Sequence, residues 1–299
     1  MKRVFNADDM EEKFAKYGYT IIRNLINKDE VKDLRQVYEQ NRMDNANKSF
    51  YVSHWIEGGD TKANIDLGVQ KVLVPAAQKY LNDYVPVFAA MSVKHPKPDS
   101  AMHLHQDWAH VDETRYRSIN MWVALDETND KNGAICLLKG SHRLFDYTRG
   151  VSIPDTFRHI PTERLHKYLT DIYLGPGDAV AWDHRVVHGS NTNFTNNMRL
   201  AAVVNMRPAE AQFLLYYIKP QTEIKDVEVY APDHDFFIAY DSVNHPTVVE
   251  QVPFIKKYPY QDLNVHEPDL IKFLISEFPG EFPQLEKPKS FFSKFFSES

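Results

Sequence analysis

Strict two-residue alternation marks two stretches of this chain as half-buried strands. Over residues 118–125, Ile119, Met121, Val123 and Leu125 alternate with Ser118, Asn120, Trp122 and Ala124. Over 199–207, Leu200, Ala202, Val204 and Met206 alternate with Arg199, Ala201, Val203 and Asn205. Successive strand side chains point to opposite faces, so the first set of each pair belongs to a core and the second can line a cavity. Further strands are expected at 19–22, 87–94, 134–139, 179–182 and 214–219. Turn signals separate them, among them Asp-Lys-Asn-Gly at 130–133 and Leu-Gly-Pro-Gly-Asp at 174–178.

Helical spacing appears mainly toward the two ends of the chain. Residues 8–17 open on acidic side chains and stop at Gly18. A second helix is capped by Asn27, with Glu30 placed to complete a capping box and Val31, Leu34, Val37 and Tyr38 forming one apolar stripe. A third is expected over 65–84, with a break or kink at Pro75, which has no amide proton to donate. Short helices follow at 161–169 and at 269–278, the latter opened by Pro268. The tail at 288–299 reads as a docked or frayed end rather than a membrane-touching amphipath.

Strands separated by turns, with few helices between them, predict a mainly β chain with flanking helices, built on a two-sheet antiparallel roll of the cupin or jelly-roll kind. A single domain over 1–299 is expected. Within it a helical buttress takes up 8–84, a catalytic β-roll 85–210 and a C-terminal extension 211–299.

Charge and composition narrow the function. With 35 basic and 41 acidic side chains the formal charge is −6, which offers no basic footprint for nucleic acid. No stretch approaches the roughly 18 apolar residues of a membrane span, and the first residues show no signal-peptide core, so a cytoplasmic protein acting on a small molecule is expected. Oligomeric state leaves no trace in the sequence. The lone Cys136, inside Gly-Ala-Ile-Cys-Leu-Leu, reads as a small buried hydrophobe.

Candidate chemistry centres on Met-His-Leu-His-Gln-Asp at 102–107. His105 and Asp107 share parity, so one extended segment can offer both to a single ion. His188, in His-Gly-Ser, is the candidate third ligand. Two histidines and one carboxylate leave open positions on a metal, the arrangement used by non-haem Fe(II) oxygenases; Zn(II), Mn(II) or Co(II) also suit such a set. His103, which shares parity with His105, and His184, four before His188, are alternative ligands that read first as supporting or packing residues, while His142 reads as a structural hydrogen-bonder at a turn. Trp108, His110, Asp112 and Glu113 directly follow the motif and are candidates for a substrate mouth.

Arg199 sharpens the picture, because a guanidinium on the inward face of a strand is costly without an anion. The distal carboxylate of a 2-oxoglutarate molecule, received by Arg199 and the hydroxyl of Ser190, would supply one; an internal carboxylate such as Asp178 is the alternative. A metalloenzyme using Zn or Mn without 2-oxoglutarate, or a non-catalytic metal- or ligand-binding module, are the competing readings of the same triad.

The ordered set His105-Gln106-Asp107, Asn132-Gly133-Ala134, Lys139-Gly140-Ser141-His142, Gly177-Asp178, His188-Gly189-Ser190, Asn193 and Arg199 resembles the phytanoyl-CoA dioxygenase family of Fe(II)- and 2-oxoglutarate-dependent oxygenases. The segment Gly18-Tyr19-Thr20-Ile21-Ile22-Arg23-Asn24-Leu25 is similar to that family's opening, and the likeness spans residues 10–208. It implies a double-stranded β-helix, iron ligands at His105, Asp107 and His188, and a 2-oxoglutarate carboxylate held by Arg199 and Ser190. It also implies O2-dependent hydroxylation of an unactivated C–H with release of succinate and CO2. Related halogenases carry a small residue at the carboxylate position, so Asp107 points to hydroxylation. Nothing identifies the substrate, and a CoA thioester is not favoured over a small free metabolite.

Overall fold

The structure is a computed structural model that describes residues 1–42, 48–55, 59–220, 224–240 and 249–285. The largest sheet has six strands, β1 (Tyr19–Ile22), β2 (Phe50–Val52), β3 (Tyr84–Lys94), β5 (Ile119–Ala124), β8 (Ala179–Asp183) and β10 (Arg199–Pro208), in the order β1-β8-β5-β10-β3-β2. A second sheet holds four short strands, β4 (Met102–His105), β6 (Ile135–Leu137), β7 (Thr170–Ile172) and β9 (His188–Ser190), in the order β4-β9-β6-β7. A third, β11 (Leu215–Tyr217), β12 (Asp226–Tyr230) and β13 (Phe254–Pro259), follows in chain order. All pairings within the three sheets are antiparallel.

The alternation read from β5 and β10 sets the layers. Ile119, Met121 and Val123 of β5 join Leu200, Ala202, Val204 and Met206 of β10 in one apolar cluster. Helices α1 (Asp8–Tyr17), α2 (Lys28–Gln40) and α3 (Gly59–Gln78) cover it with Phe14, Val31, Leu34, Ile65, Val69 and Leu73. Each fully buried leucine or valine there contributes about 1.5–3 kcal/mol relative to exposure. The opposite face of the same strands carries Trp122, Ala124, Ala201 and Val203, which pack with Ile135, Leu137 and Ile172 of the small sheet. The two sheets therefore face one another. The far side of the small sheet is closed by Phe145, Phe157 and the helix Glu267–Glu277, through Leu270 and Leu274.

The expected capping box is present: Asn27 accepts from the amides of Asp29 and Glu30 at 2.9 and 3.0 Å, and Glu30 accepts from that of Asn27 at 2.7 Å. Gly18 ends α1 at φ 81, a conformation glycine adopts without strain. α3 departs from expectation. It starts six residues earlier than Ile65, ends at Gln78 and runs through Pro75 as one helix. Pro75 lies so close to the C-terminal end that little of the helix depends on the missing amide. The tail at 288–299 lies outside the described residues.

The expected mainly β chain with a closed double-stranded β-helix or jelly-roll core is not what the structure contains. Among the described residues helix accounts for 29% and strand for 27%, which makes the fold mixed α/β, and the three sheets are separate and unclosed. Strand length explains this. β3 and β10 run for 11 and 10 residues, whereas β6, β7 and β9 have three each, roughly 10 Å of extended chain. Such short strands cannot carry a hydrogen-bond ladder around the corners, and the β4–β9 register is itself broken between Met102 and His105.

A buried ion pair braces the turn between β8 and β9. Asp183 accepts from the backbone amide and Nε of Arg185, both at 2.9 Å, and from its Nη2 at 2.5 Å. Arg117 lies 3.5 Å from the same carboxylate. Burial works to raise the Asp183 carboxyl, but Arg185, helped by His142 and Arg117, more than offsets it, and together they hold the group well below the usual carboxylate range. A carboxylate depressed in this way contributes stability that is fully present above its unfolded value, about 3.9, and is lost as pH falls through the folded one. Asp183→Asn is expected to lower the unfolding free energy at neutral pH by about 3–5 kcal/mol, because Arg185 stays buried with its main partner neutralised; urea denaturation followed by circular dichroism checks this.

Candidate metal centre and its cavity

β9 consists of His188, Gly189 and Ser190, and it lies against β4 with His188 directly opposite His105. Gly189 is what allows the approach, since a Cβ there would stand 2.8 Å from the Met102 carbonyl oxygen. His188 and Ser190, two apart, both line the cavity between the sheets. Asp107 follows the end of β4 and completes the group: one ligand atom from each of His105, Asp107 and His188 falls within 4.8 Å of the others. The imidazole centroids are 4.2 Å apart, and His188 Nε2 is 3.9 Å from Asp107 Oδ2.

The surroundings suit a metal. His105 Nδ1 meets the His103 carbonyl at 3.0 Å and His188 Nδ1 meets that of Val186 at 2.9 Å. A carbonyl only accepts, so each Nδ1 carries the proton and each Nε2 offers a lone pair. Burial and the neighbouring His105 push His188 down to about 4, leaving it neutral at pH 7 as ligation requires. Burial would raise Asp107, but His188, His184, His105 and the Trp182 indole together hold it well below the carboxylate range. Trp182 Nε1 donates to Asp107 Oδ2 at 2.8 Å, and Asn120 Nδ2 lies 3.5 Å from it.

Arg199 sits in the same cavity, 1% exposed, its guanidinium 5.0 Å from the Trp122 ring centre. It donates to the Gly133 carbonyl at 2.6 Å and reaches Ser92 Oγ at 3.4 Å, while its Nε has no partner. Burial lowers it to about 10, partly opposed by Asp126, so it remains a cation at neutral pH. No carboxylate among the described residues pairs with it. Asp178, the alternative partner, is taken by Arg23 at 2.6 Å and by the amides of Asn24 and Gly175. Asp126 pairs with Arg35 at 2.5 Å and accepts from Leu200 N. Ser190 Oγ is likewise buried without a partner. A buried cation beside an unsatisfied hydroxyl fits a ligand carboxylate.

The other candidates separate clearly. His103 is exposed, and its backbone carbonyl is what the His105 ring uses. His184 is buried, bonded through Nδ1 to the Trp108 carbonyl, and lies outside the ligand group. His142 bonds the Ala15 carbonyl and so ties down the end of α1, the structural role expected of it. Cys136 is buried, which pushes its thiol up to about 12 and leaves it inert. Trp108 and His110 line the cavity; Asp112 instead accepts from Thr114, and Glu113 pairs with Arg149 at 2.6 Å. The sequence reading did not single out Trp182, Asn120 or Ser92. Asn120 and Trp122 lay on the cavity-facing parity of β5, which was the available signal. All four tryptophans of the chain, Trp55, Trp108, Trp122 and Trp182, line this cavity of about 390 Å³.

Trp182→Phe keeps the packing of the ring but removes the donor that orients Asp107. It is expected to weaken Fe(II) binding about tenfold with the fold intact, as measured by anaerobic metal titration.

Comparison with known proteins agrees with this geometry. The sequence model of the phytanoyl-CoA dioxygenase (PhyH) family matches residues 14–201. The chain is 30% identical over 127 residues to a probable alpha-ketoglutarate-dependent hypophosphite dioxygenase of Stutzerimonas stutzeri, covering 40% of this chain and 44% of that protein. It is 27% identical over 128 residues to the peroxisomal phytanoyl-CoA dioxygenase of Homo sapiens, covering 41% and 38% respectively. The matches thus span less than half the length of these relatives. Among solved structures the chain is similar to the non-heme alpha ketoglutarate dependent epimerase SnoN from nogalamycin biosynthesis, with TM-score 0.51, 17% identity and coverage of 69% of this chain and 82% of that one; this is a likeness of fold. The family match takes in most of the chain and all five residues of the candidate centre, and on that footing the chain belongs to the phytanoyl-CoA dioxygenase family.

Proposed function

We propose that the protein is an Fe(II)- and 2-oxoglutarate-dependent dioxygenase that hydroxylates an unactivated C–H of a small molecule. The observation that carries this reading is the presence, in one cavity, of the His105, Asp107 and His188 donors and an uncompensated cation at Arg199. Bound Fe(II) with 2-oxoglutarate and O2 supplies oxidative chemistry that yields succinate and CO2 along with the hydroxylated product.

The chain's own residues do the holding. His105 and His188 present Nε2 to the metal, and Asp107 supplies the single anionic donor, fixed by the Trp182 indole. Arg199 and Ser190 receive the distal carboxylate of the cosubstrate, with Trp122 stacked against the guanidinium to keep water from it. A hydrolytic or isomerising metalloenzyme would use the same triad but leave Arg199 as an unpaired buried charge, which costs several kcal/mol.

Anaerobic titration with Fe(II) and then 2-oxoglutarate tests the reading through the visible charge-transfer band of the chelate. Metal binding without that band would sink it. Arg199→Ala is expected to weaken 2-oxoglutarate by about 2–5 kcal/mol, roughly 30- to several-thousand-fold, with Fe(II) affinity little changed. Arg199→Lys should recover part of the loss, since an ammonium lacks the planar fork. Asp107→Ala is expected to abolish hydroxylating turnover, read as succinate release coupled to product; ordinary turnover in that variant would remove Asp107 from the ligand set.

A further inference from the structure

The cavity has two chemically different ends. β10 runs along it, contributing Arg199, Val203 and Asn205 to the lining. Six residues of extended chain place Arg199 and Asn205 about 20 Å apart. Register assigns their neighbours: Lys94 stands beside Arg199, while Phe88 of β3 and Asn120 of β5 flank Asn205 on either side. Asn120 also approaches Asp107, so the metal centre borders the Asn205 end.

The end around Asn205 is aromatic. The Phe88 ring is 4.4 Å from those of both His54 and Phe237, and Phe237 is 5.4 Å from His110 and 6.3 Å from Trp108. The ionic side chains among the described lining residues are Asp107 and Arg199, and both belong to the metal and cosubstrate groups. Burial, reinforced by Lys62, lowers His54 to about 3, and burial with His184 also keeps His110 neutral. Polar atoms without partners face this region nonetheless. His54 Nδ1, His110 Nδ1 and Asn120 Oδ1 are buried and unsatisfied, and the Asn205 side chain, 3% exposed overall, is not hydrogen-bonded to any described residue. An ion entering would shed its water and meet no charged side chain on the wall of this end, Lys62 lying behind it and donating to the Tyr240 carbonyl, whereas a flat neutral ring gains stacking and the orphaned groups gain partners.

We infer that this aromatic end is the substrate's site and that it takes an uncharged ring compound with a hydrogen-bonding edge, the ring lying among Phe88, Trp108 and Phe237 and the edge meeting Asn205. The inference rests on the reading of the opposite end as the cosubstrate's. A cavity of about 390 Å³ shared with a cosubstrate favours a compact ring system over a long acyl chain.

Isothermal titration calorimetry on the full chain, held anaerobically with Fe(II) and saturating 2-oxoglutarate, compares 2-naphthol, naphthalene and 2-naphthoate. 2-Naphthol is expected to bind best, naphthalene about fivefold more weakly for want of the hydrogen bond, and 2-naphthoate at least about tenfold more weakly because its charge has no partner. Asn205→Leu is expected to erase the difference between 2-naphthol and naphthalene while 2-oxoglutarate binds as before. Comparable binding of 2-naphthoate, or a 2-naphthol preference that survives in Asn205→Leu, overturns the assignment; should that variant misfold, the order of the three probes on the parent chain still decides it. Uptake of 2-oxoglutarate with none of the three binding refutes the inference and leaves the cosubstrate reading in place. Failure of 2-oxoglutarate itself to bind overturns both.

Discussion

The pairing of His105 with His188 is the constraint on which the candidate centre depends. Two strands of four and three residues meet with their histidines opposite one another, and a glycine at the middle of the shorter strand makes the approach possible. A slip of one residue would turn His188 and Ser190 away from the cavity together. So short a ladder does not hold its own register. That is done from outside, by the Asp183–Arg185 pair at the preceding turn and by Gln106, whose side chain donates to the carbonyls of Arg185 and Phe145. Gln106 stands between two of the candidate ligands, so the same residue locks β4 to the turn that delivers the third.

Arg199 is held by a different logic. Its fixed partners are a carbonyl, a hydroxyl and the face of an indole, none of which carries charge. The nearby acids are satisfied elsewhere, at Arg35 and Arg23. The fold thus maintains a cation with no counter-ion among the described residues, and the energetic cost of doing so is recovered only when an anion arrives. Lys94, also buried and pushed down to about 6 by burial and by Arg199, ties the Ser100 and Asn191 carbonyls together.

Much of this was legible in the sequence, and for identifiable reasons. β5 and β10 were readable because each packs one face on helices and the other on a cavity, so period two survives in the residue pattern. The cap at Asn27 was readable because its partners are three residues away or fewer. The three candidate ligands were proposed from parity and spacing, and the structure brings them into one group. What failed was longer in range. Sheet closure depends on strand lengths that β6, β7 and β9 do not reach, and no local pattern reports that. The bond from Trp182 to Asp107 joins residues 75 apart, and Phe237, from a region with no recognisable motif, also lines the cavity.

The gathering of every tryptophan around one cavity has a consequence for observing the molecule. Indole emission responds to polarity and to quenching groups within a few ångströms, and here no indole sits anywhere else to dilute the signal. Trp122 lies under Arg199, Trp182 is bonded to Asp107, and Trp108 borders the aromatic end, so occupancy of the cosubstrate, metal and ring positions would each perturb a different chromophore. Emission excited selectively at the indoles, clear of the 16 tyrosines, therefore reports on the cavity rather than averaging over the fold.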